Sequence, residues 1–275
     1  MPNEQTQYEQ LTLVEKAVTR AEHDKNYQII KQQNYQVVKA NALIQKTKFT
    51  LNAKEIKVFN FLVSKIKPGE VKNNEITFTV KEYCEICGIN SSAGKNHQDI
   101  KKAILKLAAP SSGWIELEDG RQTVLRFIEK PYFDSKTSKF TIRFDKDILP
   151  YLYHIGDFHT KHTLMYSSAM ESQYSIRLYE LLKSYLNLGE KTFKLEELRD
   201  RIGVTKYNKY FDFKKNVLEL AAREIKEFSD IEMAFHPIKT GRAVTHVLFL
   251  MESKSQEGLY STWDSLDKKL HINNK

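Results

Sequence analysis

Cys84 and Cys87 are the chain's two cysteines, and their C-x-x-C spacing could hold a metal or form a redox pair. A zinc site needs two further ligands, and His97 alone does not complete the set. The pair is therefore read as core or half-buried cysteines on a helix. Gly88-Ile-Asn-Ser-Ser-Ala-Gly-Lys-Asn96 looks like a phosphate-binding P-loop, but five residues separate its glycines where four are required. Asn96 also stands where the magnesium-binding Ser or Thr belongs. His154, His159 and His162 fall close together without the His-apolar-His strand pattern that would hold a metal for nicking, and are read as polar linker residues. No carboxylate cluster suits a polymerase-type metal site. The expectation is a protein that is not an enzyme, with no catalytic site, no metal and no cofactor.

A different pattern carries chemistry. Asp99-Ile-Lys-Lys-Ala-Ile-Leu-Lys-Leu-Ala108 lines up on Asp212-Phe-Lys-Lys-Asn-Val-Leu-Glu-Leu-Ala221, identical at Asp, both Lys, both Leu and Ala. Around the first segment stand Lys95, Asn96, His97, Gln98, Lys101 and Lys102. Around the second stand Lys206, Asn208, Lys209, Tyr210, Lys214 and Lys215. Long cations mixed with amides and an aromatic are what phosphate contact and base-edge reading require. Asp99 and Asp212 suit the first turn of each helix, where a carboxylate offsets the dipole. Further cations, Arg121 and Arg126 in one half and Lys239 and Arg242 in the other, fall on hairpins. Gly241 beside Arg242 permits a tight turn that lets backbone approach a phosphate.

These residues need elements to carry them, and the same elements occur twice. Ile56, Phe59, Val63 and Ile66 make an amphipathic helix begun near Asn52 and ended by Pro68-Gly69. A short strand (75–80), a short helix closed by Gly88, a longer helix with Ile100, Ala103, Ile104, Leu107 and Ala108 on one face, and a hairpin (114–117 with 123–128) follow. A further strand spans 139–144. Then Ile176 to Leu186 make a second amphipathic helix, followed by a short strand (191–195), a short helix closed by Gly203, the Asp212 helix, and a hairpin (231–235 with 244–251) turning at Lys239–Arg242. Phe78 to Ile89 aligns without gaps on Phe193 to Val204. Two helices joined by a tight turn and followed by a two-stranded flap are a winged helix-turn-helix. The fold class expected is α+β, two tandem winged helix-turn-helix domains related by internal duplication. Their extents are an N-terminal appendage (1–34), a first domain (35–150), a link (151–172), a second domain (173–253) and a polar, loosely attached C-terminal tail (254–275).

Composition agrees with this reading and excludes other classes. The chain has 275 residues, 41% hydrophobic and 28% charged, enough for two cores. Two cysteines cannot staple a disulfide scaffold and point to a reducing, cytoplasmic setting. No run approaches the roughly 18–20 apolar residues of a membrane span, and the first ten residues suit neither a signal nor a transit peptide. The net charge of +8 hints at an anionic partner. Two non-identical readers in one chain would occupy major grooves about 10 bp apart on a directional site of about 20 bp.

Several segments resemble the replication initiator proteins of iteron-containing, theta-replicating plasmids. Val38-Lys-Ala-Asn-Ala-Leu-Ile44 with the helix that follows looks like that family's opening. Tyr207 and Asp212-Phe-Lys-Lys215, with Val217-Leu218 and Glu224-Ile225, are similar to its second recognition helix. Lys239-Thr-Gly-Arg242 with Thr245-His246 and Phe249 is similar to its second wing. The resemblance covers about 35–253 and implies two winged-helix domains. It further implies binding as a monomer to directly repeated sites in double-stranded origin DNA, opening of an adjacent A·T-rich region, and recruitment of the host initiator and replicative helicase in a bacterial cytoplasm. A homodimer through the first domain, binding an inverted repeat and repressing its own gene, is also implied. By this analogy Lys214 and Lys215 make the main groove or phosphate contacts and Arg242 holds the backbone. Some relatives carry Arg in that helix; Lys lacks the bidentate fork for guanine. The alternative reading is a two-domain winged-helix transcriptional repressor without an origin role.

Overall fold

A computed structural model describes residues 35–66, 74–89, 95–110, 113–117, 119–153 and 158–270. The appendage (1–34), His154 and residues 90–94 of the P-loop-like stretch lie outside them. The first unit opens with β1 (Gln36–Ala40), α1 (Asn41–Lys46) and β2 (Thr47–Phe49). Next is α2 (Ala53–Ser64), whose start is fixed by a capping box. The Asn52 side chain accepts from the Glu55 N–H, and the Glu55 carboxylate accepts from the Asn52 N–H. Then come β3 (Glu75–Thr79), α3 (Val80–Ile86), α4 (Lys95–Leu107), β4 (Gly113–Glu116), β5 (Gln122–Leu125), β6 (Tyr132–Asp134), β7 (Lys139–Arg143) and α5 (Leu149–Leu152).

The second unit follows β8 (His159–Thr163) and α6 (Leu164–Ala169). It comprises α7 (Gln173–Lys183), β9 (Glu190–Lys194), α8 (Leu195–Ile202), α9 (Tyr210–Phe213), a π-turn (Lys214–Leu218), α10 (Glu219–Phe228), β10 (Ile231–Thr240) and β11 (Ala243–Ser253). A final helix, α11 (Gln256–Leu270), closes the described chain.

Strand pairing establishes the duplication and corrects one part of it. In the second unit the sheet order is β10-β11-β9, so the strand before the helix-turn-helix pairs with the far strand of the hairpin after it. The matching sheet of the first unit is β3-β7-β6. The first wing is therefore β6–β7, and not the Trp114–Ile128 hairpin expected from sequence. That hairpin, β4–β5, pairs instead with β2 in a separate sheet, β2-β4-β5. An aromatic trio is repeated in the two true sheets. Phe133 and Phe78 flank Phe140 at 4.6 and 5.4 Å, as Phe235 and Phe193 flank Phe249 at 6.3 and 6.1 Å. Gly88 and Gly203 end α3 and α8 at equivalent positions, both with positive φ (67° and 72°). Each also lies where a Cβ would collide with other backbone: at 2.7 Å from the Leu270 carbonyl oxygen for Gly88 and 2.6 Å from that of Phe49 for Gly203.

Two further expectations are corrected. The described part of the link from residue 158 is not a polar loop: β8 pairs with β1 along five residues, and α6 is buried throughout. His162, on that strand, is 3% exposed. The segment after Ser253 is not loose. It forms α11, whose Thr262, Leu266 and Leu270 recur every fourth residue on one buried face. Lys254 anchors its start by donating to Thr262 Oγ1 at 2.6 Å, and Lys269 pairs with Glu171.

The two units share an ionic cluster at their junction. Lys39 Nζ of β1 donates to Asn60 Oδ1 of α2 at 2.7 Å and to Glu180 Oε1 of α7 at 2.8 Å. Asn60 Nδ2 also donates to Glu180 Oε1, at 2.9 Å, and His162 Nε2 lies 3.6 Å from the same oxygen. Nearby Arg177 donates to the carbonyls of Thr47 and Arg201 and stacks 3.9 Å above the Phe49 ring. Burial works against ionised Glu180, but Lys39, His162 and Arg177 outweigh it and hold the carboxyl well below the usual range. Burial draws the Arg177 guanidinium down to about 10.

Candidate nucleic-acid interface

In each unit the second helix of the helix-turn-helix buries one face and presents cations on the other. In α4, Ile100, Ala103, Ile104 and Leu107 face the core. Lys95, Gln98, Lys101 and Lys102 are exposed. Lys101 lies 4.6 Å above the Phe133 ring and His97 packs edge-on to it at 5.9 Å, so the wing strand β6 braces both. Asn96 does not face outward as expected; its amide is turned toward Cys84 Sγ at 3.7 Å. Asp99 is the fifth residue of α4, beyond the first turn, and pairs with Lys54 of α2 at 2.6 Å. Cys84 and Cys87 are both buried.

The second helix-turn-helix is built around Arg199. This buried guanidinium donates to the carbonyls of Tyr207 at 2.8 Å and Asn208 at 3.1 Å and lies 4.7 Å from the Phe213 ring. It thereby holds a turn in which Tyr207 takes a left-handed backbone (φ 64°), unusual for a bulky residue. Gly203 leaves α8, and Lys209 opens α9 with Asp212 in its first turn. Lys206, Asn208, Lys209 and Lys215 are exposed. Lys214 is half-exposed and sits 3.4 Å from Glu219, a screened pair of little energetic weight. Tyr210 departs from the expected outward set: it is half-buried with its hydroxyl enclosed, and its ring packs on Phe213 at 6.4 Å.

The π-turn explains why two similar helices bury different residues. In it the Glu219 N–H reaches the Lys214 carbonyl, five residues back. The Asn216 amide caps the Asp212 carbonyl at 2.9 Å. The extra residue per turn rotates Leu218 fully into the core, whereas its aligned counterpart Leu105, on the regular helix α4, is 62% exposed.

The second wing is longer than the sequence suggested, with β10 and β11 paired from Ile231↔Ser253 to Thr240↔Ala243. Gly241 (φ 62°) and Arg242 form its tip, next to exposed Lys239. Arg121 and Arg126, expected on the first wing, lie on or beside the β4–β5 hairpin. Arg121 pairs with Asp119 at 2.7 Å and Arg126 with the buried Asp145 at 2.5 Å. The turn of the first wing carries Lys136, and β7 opens with Lys139; sequence reasoning missed both as wing residues because a three-residue strand such as β6 shows no periodicity.

The two units meet. Lys54, Asp99 and Lys102 of the first unit and Tyr174, Thr205 and Lys206 of the second line one open groove. Among the described residues, Lys206, Lys209, Lys215, Lys239 and Arg242 form no ion pair with a carboxylate, and Lys102 acts on Asp99 only from beyond ion-pair distance. The described residues contain no group of three or more His, Cys, Asp or Glu placed to hold a metal, and no helix long and apolar enough to cross a membrane.

Two helix-turn-helix units in tandem, each with its own wing and a cation-bearing second helix, define a double winged-helix protein. The chain belongs to the replication initiator protein family. Residues 36–183 match the model described as Initiator Replication protein, WH1, and residues 194–251 match Initiator Rep protein, WH2. It is 24% identical over 249 residues to a replication initiation protein of Escherichia coli, covering 86% of this chain and 75% of that protein. A crystal structure of the Pi initiator protein in complex with iteron DNA is similar in fold. Its TM-score is 0.65 at 20% identity, over 82% of this chain and 99% of that one.

Proposed function

We propose that this protein initiates replication of a plasmid by binding repeated sites in its origin DNA through both winged-helix units. The observation that carries the reading is the repeated placement of exposed lysines, Lys101 and Lys102 in one unit and Lys209 and Lys215 in the other, on the outward face of two equivalent helices beside two equivalent wings. Such a face supplies sequence-independent phosphate contacts and brings side chains to base edges in the major groove. The shared groove between Lys102 and Lys206 favours one DNA molecule engaging both units. The family membership and the iteron DNA bound by the Pi initiator favour repeated origin sites as the target.

Strand opening would draw on binding energy and DNA distortion, followed by recruitment of the host initiator and replicative helicase. Homodimerisation through the first unit, with repression of its own gene, is favoured by the exposed face of the β4–β5 hairpin, where Trp114 and Val124 are cross-strand partners with about half of each surface open. A circular DNA carrying only this gene, its upstream repeats and a selectable marker should replicate in a permissive host. Repression of the gene's promoter without replication of that circle would favour a repressor and refute the initiator reading.

A further inference from the structure

Phe211 sits in the first turn of α9 with 71% of its surface exposed. The neighbouring rings behave otherwise: Phe213 is fully buried and Tyr210 is half-buried against it. At about 3.6 residues per turn, Phe211 lies roughly 200° around the helix from Phe213, and so points directly away from the core. Lys215 follows one turn later on the same face, and Lys209 precedes at the cap. An apolar ring is thus held between two exposed cations at the leading end of the helix that enters DNA.

We propose that Phe211 is a specificity-determining residue that packs on the C5-methyl group of one thymine in the bound site. The inference rests on the DNA-binding reading above and adds what this position recognises. A phenyl ring offers no hydrogen bond. In the major groove, guanine and adenine present N7 with O6 or N6, and cytosine presents its amino group, so a ring laid over them leaves polar groups unpaired. The thymine methyl is the apolar feature of that edge. The equivalent position of the first unit is Gln98, also exposed, whose amide suits adenine N6 and N7. The two readers therefore differ in chemistry at one matched position, which makes the composite site directional.

The test is selection from a random-sequence duplex library by the full wild-type chain and by Phe211→Ala, with self-association of both measured in parallel. Wild type should enrich thymine at one position that Phe211→Ala leaves unselected. Replacing that thymine by deoxyuridine in the selected duplex removes one methyl and should weaken wild-type binding about fourfold, the equivalent of about 0.8 kcal/mol per buried methyl at 1.4 kcal/mol per tenfold. Phe211→Ala should bind both duplexes equally, and Lys215→Ala should keep the fourfold difference while binding both more weakly. The proposal is overturned if Phe211→Ala retains the thymine preference, if wild type ignores the missing methyl, or if the substitution alters self-association instead. A wild-type chain that enriches no sequence refutes the DNA-binding reading itself, a result distinct from losing one methyl contact.

Discussion

Replacing Glu180 by Gln should loosen the junction between the two units, because that carboxylate is the counter-charge for buried Lys39. Glu180 is fully buried and Lys39 only 3% exposed. After substitution the ammonium keeps Asn60 Oδ1, at 2.7 Å, but no anion. Breaking a buried pair from one side costs about 3–5 kcal/mol. An independent ceiling comes from proton release: neutralising a lysine of ordinary pKa near 10.4 at pH 7 costs about 4.6 kcal/mol. The two figures agree. The sign with pH follows from Lys39, whose pKa burial lowers against the opposing pull of Glu180. A folded lysine with a depressed pKa binds fewer protons than the unfolded chain, so stability rises with pH between the folded and unfolded values. Removing Glu180 extends that window toward neutrality, and the variant should gain up to about 1.4 kcal/mol per pH unit there. Urea unfolding followed by Trp114 in the first unit and Trp263 on α11 reads both halves. The paired change Lys39→Met with Glu180→Leu should recover most of the loss, since a well-packed apolar pair often equals a buried ionic one. A loss below about 1 kcal/mol for Glu180→Gln, or a double variant as unstable as the two single losses added, would refute the reasoning.

Arg199→Ala should free the turn at 203–209 by removing the donors to Tyr207 and Asn208. Hydrogen exchange should rise there selectively, with about 2–3 kcal/mol lost and DNA affinity reduced, although Arg199 itself is buried. Gly203→Ala should lower the melting temperature far more than Gly241→Ala. Both glycines have positive φ, but a Cβ at Gly203 meets the Phe49 carbonyl oxygen at 2.6 Å and one at Gly241 meets nothing within 4 Å. Left-handed strain alone costs about 1 kcal/mol, and Gly203 adds a clash between the units.

Local patterns were legible wherever one face of an element is buried. The apolar steps through Ile56, Ile100 and Ile176, the glycines ending α3 and α8, and the gapless match of Phe78–Ile89 to Phe193–Val204 all describe real elements. Pairing between distant strands was not. Asp119-Gly120 signals a turn correctly, yet nothing local says that β4–β5 joins β2 while the shorter β6–β7 joins β3. The π-turn was equally hidden, because Leu105 and Leu218 align and only the hydrogen bonding of Lys214 to Glu219 separates their burial. His162 was read as a polar linker residue. His162 is instead buried beside Glu180, which pairs with Lys39 at 2.8 Å, and these three groups come from elements far apart in sequence. The α11 stripe of Thr262, Leu266 and Leu270 is too thin in apolar residues to mark a docked helix, and its partners lie on α6 and α10. Of the cations expected on the second unit, Lys206, Lys209, Lys215, Lys239 and Arg242 stand exposed and Lys214 is half-exposed beside Glu219, whereas Arg121 and Arg126 were misplaced with their hairpin.

The salt dependence of binding tests most directly whether the outward face of α9 and the π-turn grips DNA. Affinity of the full chain for the repeats flanking its gene should be measured across a range of salt for wild type and for the double variant Lys214→Ala with Lys215→Ala. Each lost phosphate contact lowers the magnitude of the log–log slope by about 0.9, so the account predicts a slope shallower by about two and weaker binding throughout. An unchanged slope with unchanged affinity would contradict it.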